Sequence, residues 1–143
     1  MSDKYFIDTN IIVYAHDSTF PQKQNRAQQL IFDGMRHRTA VISAQVLSEF
    51  FITVTKKIAS PLSLQALRHE LLLLSHIEVV DIDYDLVLRA VSLQDTLQLS
   101  YWDSLIISAT ERAECKILYS EDFSHGQKYA GITCYNPFVP EGS

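Results

Sequence analysis

The chain has 143 residues, 47% of them hydrophobic and 20% charged, with a net charge of −5. Such a length reads as one domain, able to bury about 70% of its unfolded surface, and the mixture excludes a disordered chain. The acidic balance counts against a broad basic footprint for nucleic acid, though it weighs less if bound cations neutralise a carboxylate cluster. Cys115 and Cys134 lack metal-type spacing and lie in apolar, strand-like runs, which predicts buried free thiols in a reducing compartment. No charged-then-apolar leader and no bilayer-length apolar run is present, so the expectation is a cytoplasmic protein away from membranes.

The first element is a short buried strand over 5–7, ending at Asp8. Thr9 and Asn10 are candidate caps for a short helix over 10–16, and Asp8 is itself a candidate cap or turn residue. Pro21 suits the first turn of a second helix, whose apolar face is Ala27, Leu30, Ile31 and Met35. A second strand is predicted over 39–42. Ser43 then caps a third helix, 44–57, with Val46, Leu47, Phe50, Val54 and Ile58 on one arc and Glu49 just outside it, beside Gln45.

Ser60-Pro61 ends that pattern, and 62–74 reads as a fourth helix with a Leu67, Leu71, Leu74 stripe widened by Leu72 and Leu73. A third strand follows over 77–80. The helix over 84–97 is expected to bury Leu86, Val87, Ala90, Val91 and Leu97. The next helix starts at Ser100 and is expected to bury Trp102, Leu105, Ile106, Ala109 and Ala113. A fourth strand over 116–119 closes on Ser120-Glu121-Asp122. A loop with Gly126 and Gly131 leads to a fifth strand over 132–135 and a polar tail from about 138. Strands alternating with helices predict an α/β domain: a three-layer sandwich with a parallel sheet of about five strands and helices on both faces.

In that plan Asp8 ends the first strand, Glu49 stands in the helix after the second, Asp103 opens a helix, and Asp122 follows the fourth strand. Ligands in open α/β sheets bind outside the carboxyl ends of the strands, so these carboxylates are expected to share one crevice. Four such groups repel one another unless a hard cation joins them, and oxygen-only ligands select Mg²⁺ or Mn²⁺. Carboxylates around such an ion suit phosphodiester hydrolysis. Each residue also has a plainer reading. Asp103 completes a capping box with Ser100, Glu49 flanks an apolar arc, and Asp122 belongs to a polar turn. Glu121 is expected to point away, and Asp81, Asp83 and Asp85 to supply turn and helix-start charge.

The run Phe6-Ile7-Asp8-Thr9-Asn10 with its apolar sequel resembles the opening of PIN-domain ribonucleases, especially VapC-type toxins of bacterial toxin–antitoxin pairs. Ser43 to Phe50, Tyr101 to Ile106 and Leu118 to Phe123 resemble the later acidic motifs of that family, in order, over essentially the whole chain. The resemblance implies a metal-dependent endoribonuclease using Mg²⁺ or Mn²⁺, with Asp8, Glu49, Asp103 and Asp122 as catalytic and metal-binding residues. It implies supporting roles for Thr9, Asn10 and Ser120, an RNA substrate and a small cognate antitoxin. It also supports a homodimer, whose first motive is the apolar surplus of the third and fourth helices. Lys23, Arg26, Arg112 and Lys128 are the candidates for RNA contact.

Rival readings fare worse. A phosphatase of the haloacid dehalogenase type needs a second Asp where Asn10 stands, and a phosphoacceptor receiver domain needs an acidic neighbour that Asp8 lacks. A solitary ribonuclease and a catalytically inactive RNA- or protein-binding domain of the same fold remain as alternatives.

Overall fold

Strand β1 (Tyr5–Ile7) is the middle of the molecule, and what lies either side of it decides where a ligand can bind. The computed structural model describes residues 3–58 and 60–140, so the end of the polar tail lies outside the described residues. After β1 come α1 (Thr9–Tyr14), α2 (Pro21–His37), β2 (Ala40–Ser43), α3 (Ala44–Lys56), α4 (Leu64–Leu74) and β3 (Glu78–Val80). The second half holds α5 (Tyr84–Leu97), α6 (Tyr101–Arg112), β4 (Ile117–Tyr119), β5 (Lys128–Tyr129) and β6 (Ile132–Tyr135).

The strands form one sheet in the order β3-β2-β1-β4-β6-β5, parallel throughout except for β5, which is antiparallel to β6. All four residues of β2 are buried, and successive side chains point to opposite faces, so helices cover both sides of the sheet. The chain runs outward from β1 to β2 and β3, then crosses back to lay β4 on the other side of β1. That reversal opens a crevice at the carboxyl ends of β1 and β4.

Local chemistry explains the element boundaries. Ser43, Ser63, Asp83 and Ser100 each accept a backbone N–H in the first turn of α3, α4, α5 and α6. Pro21 opens α2, and Arg38 closes it in the left-handed conformation. Gly34 of α2 is there for space: a Cβ would stand 2.3 Å from the Ala40 Cβ and 2.7 Å from the Tyr5 hydroxyl. Phe6, Ile7, Ile11, Ile12, Val46, Phe50, Ile107 and Leu118 form the fully buried centre. Each such side chain contributes about 1.5–3 kcal/mol by leaving water. Helix α6 is buried continuously from Ser104 to Thr110, and the hydroxyls of Ser104, Ser108 and Thr110 all reach backbone carbonyls. Among the described residues no helix is long and apolar enough to cross a membrane.

Several expectations change. The sheet has six strands among the described residues rather than about five, because 128–129 pairs back on β6 through an Ala130-Gly131 turn. Asp8, not Thr9 or Asn10, is the N-cap of α1. Val91 and Trp102 are 52% and 61% exposed instead of buried, and Leu93 takes the inward place on α5. Leu72 and Leu73 stand outside the core, whereas Leu67 and Leu74 lie within it. Cys115 precedes β4 rather than belonging to a strand. Both thiols are free and buried, and burial pushes each up to about 12.

Candidate active site

Register alone brings the first and last acidic motifs together. Ile7 pairs with Tyr119 across β1 and β4, and the Asp8 N–H continues the ladder to the Tyr119 carbonyl at 3.0 Å. Asp8 therefore faces Ser120, whose hydroxyl donates to Asp8 Oδ2 at 2.7 Å. The Thr9 backbone N–H donates to Asp8 Oδ1, also at 2.7 Å. The Ser120 oxygen accepts the Asp122 backbone N–H at 3.0 Å, so one buried hydroxyl links the two acidic residues.

The neighbouring motif residues complete the frame. The Thr9 hydroxyl donates to Glu49 Oε1 at 2.8 Å, tying α1 to α3. Asn10 uses both ends of its amide: Nδ2 donates to Asp122 Oδ2 at 3.1 Å, and Oδ1 accepts the Glu121 N–H at 3.2 Å. Glu121 itself turns to the Lys23 ammonium, 2.6 Å away, and accepts from the Tyr14 hydroxyl at 2.8 Å. Asp8, Glu49, Asp103 and Asp122 all line one cavity of about 370 Å³, with Thr9 and Asn10 in its wall.

Electrostatics follow from that convergence. Burial pushes the Asp8 carboxyl up to about 7; the Ser120 and Thr9 donors oppose the rise, and the charges of Asp122 and Glu49 add to it. Asp103 is also raised, by partial burial first and then by Asp122, with the Ser100 hydroxyl working against both. The Ser100 oxygen accepts the Asp103 backbone N–H at 3.1 Å, so Ser100 is the N-cap of α6, as one half of the capping box requires, while Asp103 lines the cavity.

An all-oxygen donor set of this kind fits a hard divalent cation. Among the described residues, however, no group of three or more His, Cys, Asp or Glu side chains is already arranged to hold a metal ion. The Thr9 and Ser120 hydroxyls and the Asn10 amide each donate to one of the carboxylates, which offsets part of the repulsion between like charges. A further acceptor stands in the same wall. Gln45, one helical turn before Glu49, is 5% exposed, and its Oε1 has no partner while its Nε2 donates to the Trp102 carbonyl at 3.2 Å. A buried acceptor left unpaired costs about 1–3 kcal/mol, which a donor entering the cavity would relieve.

The cations considered for RNA contact are not brought to this cavity, whose lining among the described residues includes no Lys, Arg or His. Lys23 is paired with Glu121, and Arg112 with Asp83 at 2.7 Å. Arg26 lines a separate cavity beside Tyr119 and Tyr135, and Lys128 stands on the edge strand β5. Missing from the sequence reading as wall residues are Asp17, a fifth carboxylate in the lining, and Gln45, Tyr14, Phe20 and Trp102. Gln45 had a signal, since four residues apart on a helix puts it on the face of Glu49.

Comparison with known proteins bears on the fold and the family. By sequence, no curated protein matches the chain. Its fold resembles a toxin–antitoxin complex from Klebsiella pneumoniae, with a TM-score of 0.67 at 18% identity over 94% of this chain and 98% of that one. It also resembles VapBC2 from Rickettsia felis bound to a promoter DNA fragment, with a TM-score of 0.64 at 20% identity over 91% and 96% of the two chains. A third likeness is to VapC20 from Mycobacterium tuberculosis, a sarcin–ricin loop cleaving toxin, at 0.61 and 15% identity over 83% and 90%. At such identities the likeness is one of fold. The PIN domain family matches residues 5–129, which carry every acidic motif described above, and the chain belongs to that family.

Proposed function

We propose that this chain is a Mg²⁺- or Mn²⁺-dependent endoribonuclease, the toxin of a type II toxin–antitoxin pair. The observation that carries the reading is the convergence of Asp8, Glu49, Asp103 and Asp122, from four separate segments, on one cavity at the reversal point of the sheet. When bound, a divalent cation supplies Lewis-acid stabilisation of phosphoryl charge and makes water a better nucleophile at neutral pH. The protein's own part is orientation. Ser120 and the Thr9 N–H fix both oxygens of Asp8, the Thr9 hydroxyl turns Glu49, and the Asn10 amide turns Asp122. Burial raises the Asp8 carboxyl to about 7, so positive charge arriving in the cavity would favour its ionised form.

A cognate antitoxin is supported by the fold likeness to proteins solved as toxin–antitoxin complexes. A homodimer is supported by apolar side chains left outside the core on α3 and α4, among them Phe51, Ile52, Leu64 and Leu72. A catalytically inactive binding module is disfavoured because all four carboxylates and their donors are present. The test is cleavage of RNA by the purified chain beside Asp8→Asn prepared in the same way. The reading expects cleavage with Mg²⁺ or Mn²⁺, none in EDTA and none from the variant. Equal cleavage by both proteins, or full cleavage in EDTA, contradicts it.

A further inference from the structure

The first turn of α6 carries an apolar residue that the core does not use. Trp102 is 61% exposed, although Leu105, Ile106 and Ala109 of the same helix are buried. It directly precedes Asp103 and lines the same cavity as the four carboxylates. Its backbone carbonyl accepts from Gln45 at 3.2 Å, and its ring meets Tyr101 edge-on at 5.1 Å. A second aromatic face, Phe20, is 46% exposed and reaches this cavity from the connection between α1 and α2.

The charge balance says what such a face is for. A polyanionic substrate is usually held by Lys and Arg on its phosphates. Here the lining has no cation, the net charge is −5, and Lys23 is occupied by Glu121 and set against the rings of Tyr14, Phe20 and Phe138. Base stacking needs no charge and tolerates any sequence, because every base has a π-face. Bases are free to stack on protein only where the strand is single.

We propose that Trp102 is the stacking face for a nucleobase of single-stranded RNA whose phosphodiester enters the acidic cavity. The inference rests on the ribonuclease reading and names how that substrate is gripped. Gln45 joins the helix of Glu49 to the turn that presents Trp102 and Asp103.

Trp102 is the single tryptophan of the chain, so its emission reports on this face alone. The experiment titrates a short, dye-labelled single-stranded RNA of mixed sequence into the full chain carrying Asp8→Asn, reading tryptophan emission and dye anisotropy together. The inference expects emission to be quenched with the same midpoint as the anisotropy rise, and no quenching by an abasic ribose-phosphate chain. Trp102→Ala should weaken binding roughly 5- to 150-fold with an unchanged thermal midpoint, and Trp102→Phe should keep most of the affinity. In the otherwise unaltered chain, Trp102→Ala should raise KM and leave kcat nearly as it was. RNA cut by the Trp102→Ala chain with parental KM overturns the inference and leaves the ribonuclease reading standing. An emission shift on raising protein concentration without RNA overturns it as well, by assigning Trp102 to an interface between copies. Absence of both binding and cleavage in every chain would remove the ribonuclease reading itself.

Discussion

The Ser120 hydroxyl donates a 2.7 Å hydrogen bond to Asp8 across a sequence separation of 112 residues, and its oxygen also accepts the Asp122 N–H. Parallel pairing of β1 with β4 makes this meeting unavoidable, because each residue is the next one after its strand. One hydroxyl therefore sets the geometry of two carboxylates.

Ser120→Ala is expected to keep the fold and to lower metal affinity or activity about 10- to 100-fold, the usual cost of losing a group that orients a ligand. Cation titration beside steady-state cleavage checks it. Parental affinity and activity in Ser120→Ala would show that Asp8 needs no such support.

Asp8 should leave a mark on stability against pH in metal-free buffer. Its carboxyl lies at about 7 in the folded chain, against an ordinary value of 3.8. Below the ordinary value both states are protonated and Asp8 contributes nothing. Between the two values the folded state keeps a proton that the unfolded state has released, so stability falls as pH rises. Above 7 the loss is complete, on the order of 4 kcal/mol. Denaturant midpoints at several pH values between 4 and 8 should converge on, then drop below, those of Asp8→Asn. Parallel profiles for the two proteins would contradict the buried, raised carboxyl.

At the start of α6, two variants weigh capping against chemistry. Ser100→Ala removes the hydroxyl that accepts the Asp103 N–H and should cost about 1 kcal/mol, or roughly 3 °C of midpoint, with cleavage retained. Asp103→Asn leaves that hydroxyl in place, so it should abolish cleavage and lose at most about 1 kcal/mol of helix-dipole interaction. Thermal unfolding and RNA cleavage on the two variants decide it. An active Asp103→Asn reduces Asp103 to a helix-start charge.

Much of this was legible in the sequence because the signals were local. Ser43, Asp83 and Ser100 announce helix starts, Pro21 opens α2, and the apolar runs at 5–7 and 117–119 leave little but strand. The acidic positions could be read from strand–helix order, since Asp8 and Asp122 both follow strands. What escaped depends on partners distant in sequence or on atypical residues. The β5–β6 turn carries Ala130 at φ 52°, where Asn or Gly would have signalled a hairpin. Trp102 has the spacing of a core residue because it matches Leu105 and Ile106, and its exposure beside the cavity shows that it faces outward. Nor does topology by itself make a ready-made ligand set: among the described residues the carboxylates share a cavity without forming one, and three of them are already engaged by the Thr9, Asn10 and Ser120 donors.

The most direct test of the acidic cavity as a cation site is the thermal midpoint against Mg²⁺ or Mn²⁺, for the parent chain and Asp8→Asn, at constant ionic strength. Binding to the folded state alone adds about 2.7 kcal/mol when the ion stands at 100 times Kd, or roughly 5–15 °C for a domain near this size. The parent is predicted to gain that much, and Asp8→Asn distinctly less, since it lacks one carboxylate and part of the repulsion that the ion relieves. Equal gains in the two proteins would mean that the ion binds elsewhere on this acidic surface, and the Asp8-centred site would be wrong.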